Sequence, residues 1–247
     1  MTETEQGVRT LRLAKAFVEL SACLTEEVDT PILLQTFADG CAGLLSIASV
    51  GASVTIDSTD GVVVAASDER ASFLELVGRQ DGHSPAGYVR ESGLPLVNVR
   101  LLGDDGRWPT VAHFALELGL GQVTALPLQA RGDMIGVVCL YSADWVGLDS
   151  ERVAIGQSLA DVAAGALVTA TQLRSTARRA QQLQSALDSR VIIEQAKGRL
   201  AERWRVTPEE AFQRLRKYAR SHNTSISGIS REIAESPPDG RSVVEAM

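Results

Sequence analysis

The sequence predicts an α+β fold: an antiparallel sheet flanked by helices, then a long connecting helix, then an all-α three-helix module near the C-terminal end. Three observations predict it. Two pairs of β-rich runs, VGASVTID with GVVVAAS and QVTALPLQA with MIGVVCLYS, are each joined by a turn signal, Asp60-Gly61 in the first and Arg131-Gly132-Asp133 in the second. Between Asp149 and Trp204 there is no proline and glycine only at 156, 165 and 198, so one long helix is expected. From Ser189 to Ile233 apolar residues recur with the period of a helix among an excess of basic ones.

In chain order, Val8 to Leu24 places Leu11, Ala14, Val18 and Leu20 to Ala22 among charges, an amphipathic helix suited to packing on a sheet or on a second copy. Thr30-Pro31 opens a helix expected to run to about Ile47, and Ser67-Asp68-Glu69 opens another through Val77. Residues 78–109 are rich in glycine and charge and read as loops with short strands. A helix from Thr110 to Leu118 precedes the second hairpin, and a sheet of two hairpins with helices before, between and after is an α+β domain. After Asp149, Val153, Leu159, Val162, Ala163, Ala166 and Leu167 form the apolar side of the long helix. Further along, Leu173, Ala177, Ala180, Leu183, Leu187 and Val191 recur at three- to four-residue spacing, which fits a parallel coiled-coil dimer.

The C-terminal stretch reads as three helices. In the first, Ile192, Ile193, Ala196, Leu200 and Trp204 share a side, while Arg190 and Lys197, seven residues apart, project together from another. Thr207-Pro208-Glu209-Glu210 is a start signal for the second: a Thr cap, Pro at the first helical position and Glu at the third, able to reach back to the cap N–H. There Ala211, Phe212, Leu215, Tyr218 and Ala219 form the expected core stripe and Arg214, Arg216, Lys217 and Arg220 the opposite arc. A short third helix is expected to bury Ile226, Ile229 and Ile233. The tail ESPPDGRSVVEAM, with two prolines and a glycine, is expected to be disordered.

A length of 247 residues with 45% hydrophobic residues suits one large or two ordinary domains. The formal charge of −7 divides unevenly, with −12 on residues 1–173 and +7 on residues 174–234. A basic block inside an acidic chain is the footprint of a polyanion-binding surface. Neither a run of 18 apolar residues nor an apolar leader segment is present, so a cytoplasmic protein with no membrane contact is expected. Cys23, Cys41 and Cys139 are scattered and stand in apolar contexts, which predicts buried thiols rather than disulfides or metal ligands.

The stretch from Ser189 to Ile233 resembles the ANTAR domain, a three-helix RNA-binding module of bacterial transcription antiterminators. The resemblance rests on Arg190-Val191-Ile192, Ala196-Lys197-Gly198, Ala211-Phe212 and Leu215-Arg216, in the family's order and separations. It departs at Arg199 and Ala201, where the family has apolar residues, and at Gly228 and Ser230, where it has an acidic residue and Ala. Gly within a short helix costs about 1 kcal/mol against Ala, which predicts a soft third helix. Residues 8–170 resemble a GAF sensory domain, most closely at Gly87 to Val97, Ala125-Leu126-Pro127-Leu128 and Ile135-Gly136-Val137-Val138. Where actinobacterial relatives carry Gly-Pro-Cys, this chain reads Ser84-Pro85-Ala86, which removes that cysteine and its chemistry. A GAF ligand usually binds around the irregular region, near Tyr88, Arg90, Asn98, Trp108 and His113.

The expected organisation is therefore a GAF-like domain over 8–170, a helical linker over 171–188, an ANTAR domain over 189–235 and a tail over 236–247. The resemblance implies RNA as the partner, in the form of hairpin loops of nascent transcripts, with RNA polymerase affected indirectly and a homodimer as the working form. Arg190, Lys197, Arg214, Arg216, Lys217 and Arg220 are the candidate RNA-binding residues. No Walker loop, HExxH, GxSxG or kinase-type glycine loop is present, so no catalytic residue, metal or cofactor is expected, beyond an unknown small ligand of the GAF-like domain. Two other readings stay open, a DNA-binding regulator and a ligand-sensing protein-interaction scaffold. The absence of a recognisable helix-turn-helix weighs against the first and the basic arc against the second.

Overall fold

The computed structural model describes residues 29–56, 61–101, 106–143 and 147–235. The expected Val8–Leu24 helix, Cys23 and the tail 236–247 lie outside the described residues. The chain divides into two compact units between Leu173 and Arg174. That division falls inside the single helix α5 (Ser150–Trp204), which runs for 55 residues without a break.

The first unit is built around a five-stranded antiparallel sheet. Helix α1 (Thr30–Leu45) is followed by β1 (Ser49–Ile56) and β2 (Gly61–Ala66), then α2 (Glu69–Asp81), α3 (Pro85–Ser92), β3 (Leu96–Arg100), α4 (Pro109–Glu117), β4 (Gln122–Ala130) and β5 (Asp133–Ser142). The strand order is β2-β1-β5-β4-β3. Both expected hairpins are present, and β3 adds an edge strand. The β4–β5 hairpin closes through Arg131 and Gly132, both at positive φ (56° and 90°), the geometry of a two-residue type I′ turn whose twist matches that of the strands.

Both faces of the sheet are covered, and for that reason β4 and β5 read as nearly continuous apolar runs. Along β5, Val138 and Leu140 point into a core shared with α1 and the start of α5, where Leu33, Phe37, Leu159 and Ala163 are shut off from solvent. Val137, Cys139 and Tyr141 point to the other side, into a core shared with α2, α3 and α4. Alternate side chains of one strand thus serve two cores, as the period of two requires.

The region read from sequence as loops with short strands holds more order than expected. Ser84 caps α3 by accepting from the Gly87 N–H at 3.0 Å, Pro85 takes the first helical position, and Gly93 ends the helix at φ 70°. Asp68 caps α2 from the Ala71 N–H and also accepts from Ser49 Oγ at 2.7 Å. Burial pushes the Asp68 carboxyl up, but these bonds and Arg70 outweigh it and hold it below the ordinary value. In β3, Asn98 adopts φ 52° and the pairing with β4 shifts register there. Its side chain accepts from the Leu148 N–H at 2.8 Å and donates to the Leu148 carbonyl at 2.8 Å, which fixes the approach to α5.

The second unit continues α5 and adds α6 (Pro208–Ser221) and α7 (Ile226–Glu235). Its core is Ala196, Leu200, Ala211, Leu215, Ala219, Ile229 and Ile233. Six members of the expected stripes are half-buried rather than enclosed: Trp204, Tyr218 and Ile226 pack against this core, and Ile192, Ile193 and Phe212 stand outside it.

Candidate nucleic-acid interface

The turn that presents α6 follows from local chemistry. Arg205 takes φ 52° and the Val206 N–H reaches back to the Ala201 carbonyl at 3.1 Å, a closure that stops α5. Thr207 then caps α6, and its own N–H is accepted by Glu210 Oε2 at 3.0 Å, so the expected capping box is formed. The N–H and hydroxyl of Thr207 both hold the Glu210 carboxylate and keep it below the usual range.

Two of the sequence departures have structural roles. Arg199 Nη1 donates to the carbonyls of Ile233 and Ala234 at 2.7 and 2.8 Å, satisfying the end of α7 with a cation where the helix dipole favours one. Gly228 lies in the first turn of α7, where its N–H is accepted by Ser225 Oγ at 3.0 Å. A Cβ at that position would come within 2.8 Å of the same hydroxyl. The glycine is therefore part of the helix start and does not soften its middle.

The six candidate residues differ in how they are held. Arg216, Lys217 and Arg220 are exposed on the solvent arc of α6, opposite Leu215 and Ala219, and Arg190 is exposed on α5. Lys197 is different: its side chain is 17% exposed, its Nζ is 3.0 Å from both oxygens of Glu194, and it lies 5.6 Å from the Phe212 ring centre. Arg214 places its guanidinium 5.3 Å from the ring centre of Trp204. Two residues apart on a helix means about 200° of rotation, so Phe212 with Lys197 and Arg214 with Trp204 occupy opposite flanks of the exposed arc. Each flank pairs a cation with an aromatic face. Sequence reasoning did not single out Tyr218 and His222 as a pair; their rings stack at 3.9 Å at the end of α6, and their i, i+4 spacing was the available signal.

Of the five residues near the expected ligand region of the first unit, Arg90 lines a cleft of about 180 Å³ and Trp108 a much smaller one of about 20 Å³. Asn98 is the clamp on Leu148, Trp108 is buried in the core with Tyr88 edge-on to it, and His113 is exposed beside Glu117. Cys41 and Cys139 are buried, and burial pushes both thiols up, which makes them poor nucleophiles. Among the described residues no group of three His, Cys, Asp or Glu is placed to hold a metal ion.

The architecture is thus a covered antiparallel sheet followed by a basic helical unit. Residues 27–168 match the GAF domain family and residues 181–233 match the ANTAR domain family, so the chain belongs to the GAF family and carries an ANTAR domain behind it. Two solved structures share the fold of the first unit. One is the GAF domain of an Acinetobacter phosphoenolpyruvate-protein phosphotransferase, with 11% identity over 69% of this chain and 96% of that one and a TM-score of 0.50. The other is the GAF domain of a phosphoenolpyruvate-protein phosphotransferase from Coxiella burnetii, with 17% identity over 67% and 98% and a TM-score of 0.51. No curated protein matches the sequence. GAF and ANTAR are sensory and regulatory RNA-binding families rather than catalytic ones.

Proposed function

We propose that the protein is a signal-responsive transcription antiterminator whose ANTAR unit binds hairpin loops in nascent RNA and thereby keeps a terminator from forming. RNA polymerase is affected through the transcript and not by direct contact. The observation that carries this reading is the solvent arc of α6, where Arg216, Lys217 and Arg220 stand exposed and have no ion pair among the described residues, on a unit that matches an RNA-binding family. Arg190 extends the same character onto α5. Cations left unpaired on a rigid helix are suited to phosphate contacts, which give affinity and orientation, while base contacts supply specificity.

The working form in this reading is a homodimer. Leu173, Leu183, Leu187 and Val191 are each more than half exposed along α5, a spaced apolar stripe that a second copy of the helix would cover. Crosslinking in cells followed by sequencing of the bound nucleic acid tests the function. Recovery of transcript leaders bearing paired hairpins upstream of terminators is expected. Recovery of duplex DNA, or of no nucleic acid, would replace this reading with the DNA-binding or the scaffold alternative.

A further inference from the structure

The three aromatic side chains of the second unit stand at its margin. Its enclosed core is aliphatic, of Ala, Leu and Ile, whereas Trp204, Phe212 and Tyr218 are each only half-buried. A ring buries more apolar area than an aliphatic side chain does, and a unit this small gains most by placing its rings inside. Here each ring instead has a cationic or planar group laid against it, Lys197 at Phe212, Arg214 at Trp204 and His222 at Tyr218.

Two of these pairs fall on one edge of α6. Arg214, Tyr218 and His222 follow one another at i, i+4 and i+8, so each is rotated only about 40° from the last and the row covers about 12 Å of the helix edge. The Arg214 guanidinium lies over the Trp204 ring at 5.3 Å. The Tyr218 and His222 rings stack with centres 3.9 Å apart, 22° from parallel. His222 Nδ1 lies 3.1 Å from the Tyr218 carbonyl oxygen and 3.0 Å from Ser221 Oγ, which fixes the imidazole on the ring behind it. The edge is therefore two short stacks, Trp204 behind Arg214 and Tyr218 behind His222, and each ends on an exposed planar group.

The Phe212 flank has no such form. An ammonium offers no plane, and the Glu194 carboxylate that holds it at 3.0 Å repels phosphate. On the other edge the carboxylate one turn before Arg214 is that of Glu210, and it is engaged by the N–H and hydroxyl of Thr207 at 3.0 Å. Lys217, three residues beyond Arg214, is an exposed neighbour that can meet a phosphate beside a stacked base. Guanidinium and aromatic planes stack with nucleobases whatever their sequence, but a duplex keeps its base faces inside its own stack and only unpaired bases can reach such an edge.

We propose that this edge of α6 is a base-stacking site for unpaired nucleotides of the bound RNA, with one base on the Arg214 guanidinium and another on the His222 imidazole. The proposal rests on the RNA-binding reading of the second unit and adds that the site takes base faces as well as phosphates. Trp204 and Tyr218 are the positioning residues that hold the two planes outward.

Affinities of the full chain for single-stranded oligoadenylate, for an abasic ribose-phosphate strand of the same length and for a blunt RNA duplex test it. Oligoadenylate is expected to bind about tenfold more tightly than either of the others. Arg214→Lys keeps the charge and discards the plane, and it is expected to weaken oligoadenylate about tenfold more than it weakens the abasic strand. His222→Ala is expected to show the same selective loss, and His222→Phe, which restores a plane, to recover it. The proposal is overturned if the abasic strand binds the wild type as tightly as oligoadenylate, or if Arg214→Lys and His222→Ala weaken the two strands alike. Equal affinity for the two strands, with transcript leaders still recovered by crosslinking in cells, overturns the stacking site and leaves the antiterminator reading intact. A preference for the duplex over both strands, with duplex DNA recovered in cells, overturns both.

Discussion

The ammonium of Lys197 lies over the ring of Phe212 at 5.6 Å while both oxygens of Glu194 hold it at 3.0 Å. A cation in that position covers an aromatic surface as well as offering a charge. Lys197→Ala should therefore lower RNA affinity and also destabilise the second unit by about 0.5–1 kcal/mol, whereas Arg190→Ala should lower affinity with no change in melting. Phe212→Ala should cost about 2 kcal/mol, below the 3–5 kcal/mol of an enclosed ring, because the side chain is half-buried. Paired measurements of thermal unfolding and RNA binding separate these outcomes.

The exposed arc of α6 is expected to act through charge alone. Each phosphate contact adds about 0.7 to the salt slope for single-stranded nucleic acid, so Arg216→Ala combined with Arg220→Ala should reduce the slope by about 1.4 and weaken binding without unfolding. A wild-type slope in the double variant would show that this face is only solvated, and would confine the contact to α5.

Arg199 ties the end of α7 through two carbonyls. Arg199→Leu, which restores an apolar residue at this place, should fray α7 and cost about 1–2 kcal/mol despite its greater hydrophobicity. Chemical denaturation of the full chain, followed by fluorescence of Trp204, reads the loss.

If the α5 stripe is the dimer seam, replacing Leu183 and Leu187 together by Glu should give monomers with lower RNA affinity and an unchanged first unit. Light scattering settles the state. A wild type that is monomeric at micromolar concentration with and without RNA would remove the dimer.

Glu75 carries a pH dependence whose sign follows from its burial. Its folded-state pKa is raised from the ordinary 4.5, so the folded protein holds the proton more tightly than the unfolded chain does. The contribution to stability is complete below 4.5 and is lost as pH rises through the folded value. Glu75→Gln should therefore gain stability relative to wild type as pH increases from about 5 to 8, and its melting temperature should vary less over that range. An identical pH profile in the two proteins would rule this out.

Much of the architecture was legible in the sequence because it rests on local rules. The capping box at Thr207 and Glu210 and the turn at Arg131-Gly132 need only neighbours a few residues apart, and both appear as read. Helix α3 was missed although Ser84, Pro85 and Gly93 are standard start and stop residues, because the glycines at 82, 87 and 93 made the segment look like a loop. The candidate interface was legible in composition and not in arrangement. Lys197 and Arg214 are placed by Phe212 and Trp204, neighbours that only the packed helices bring together. Asn98 was counted among polar residues near a ligand region, yet its partner Leu148 is fifty residues away and no local pattern could announce it.

A Cβ on Gly51 would stand 2.7 Å from Glu75 Cγ, so a side chain at position 51 and the glutamate at 75 exclude one another. The two positions are thereby ordered in evolutionary time. A lineage can replace Glu75 with a small residue first and then enlarge position 51, but the reverse order passes through a clash between a central strand and α2. Descendants of this chain that retain the carboxyl should retain the glycine, and those that abandon the carboxyl should drift at both places together.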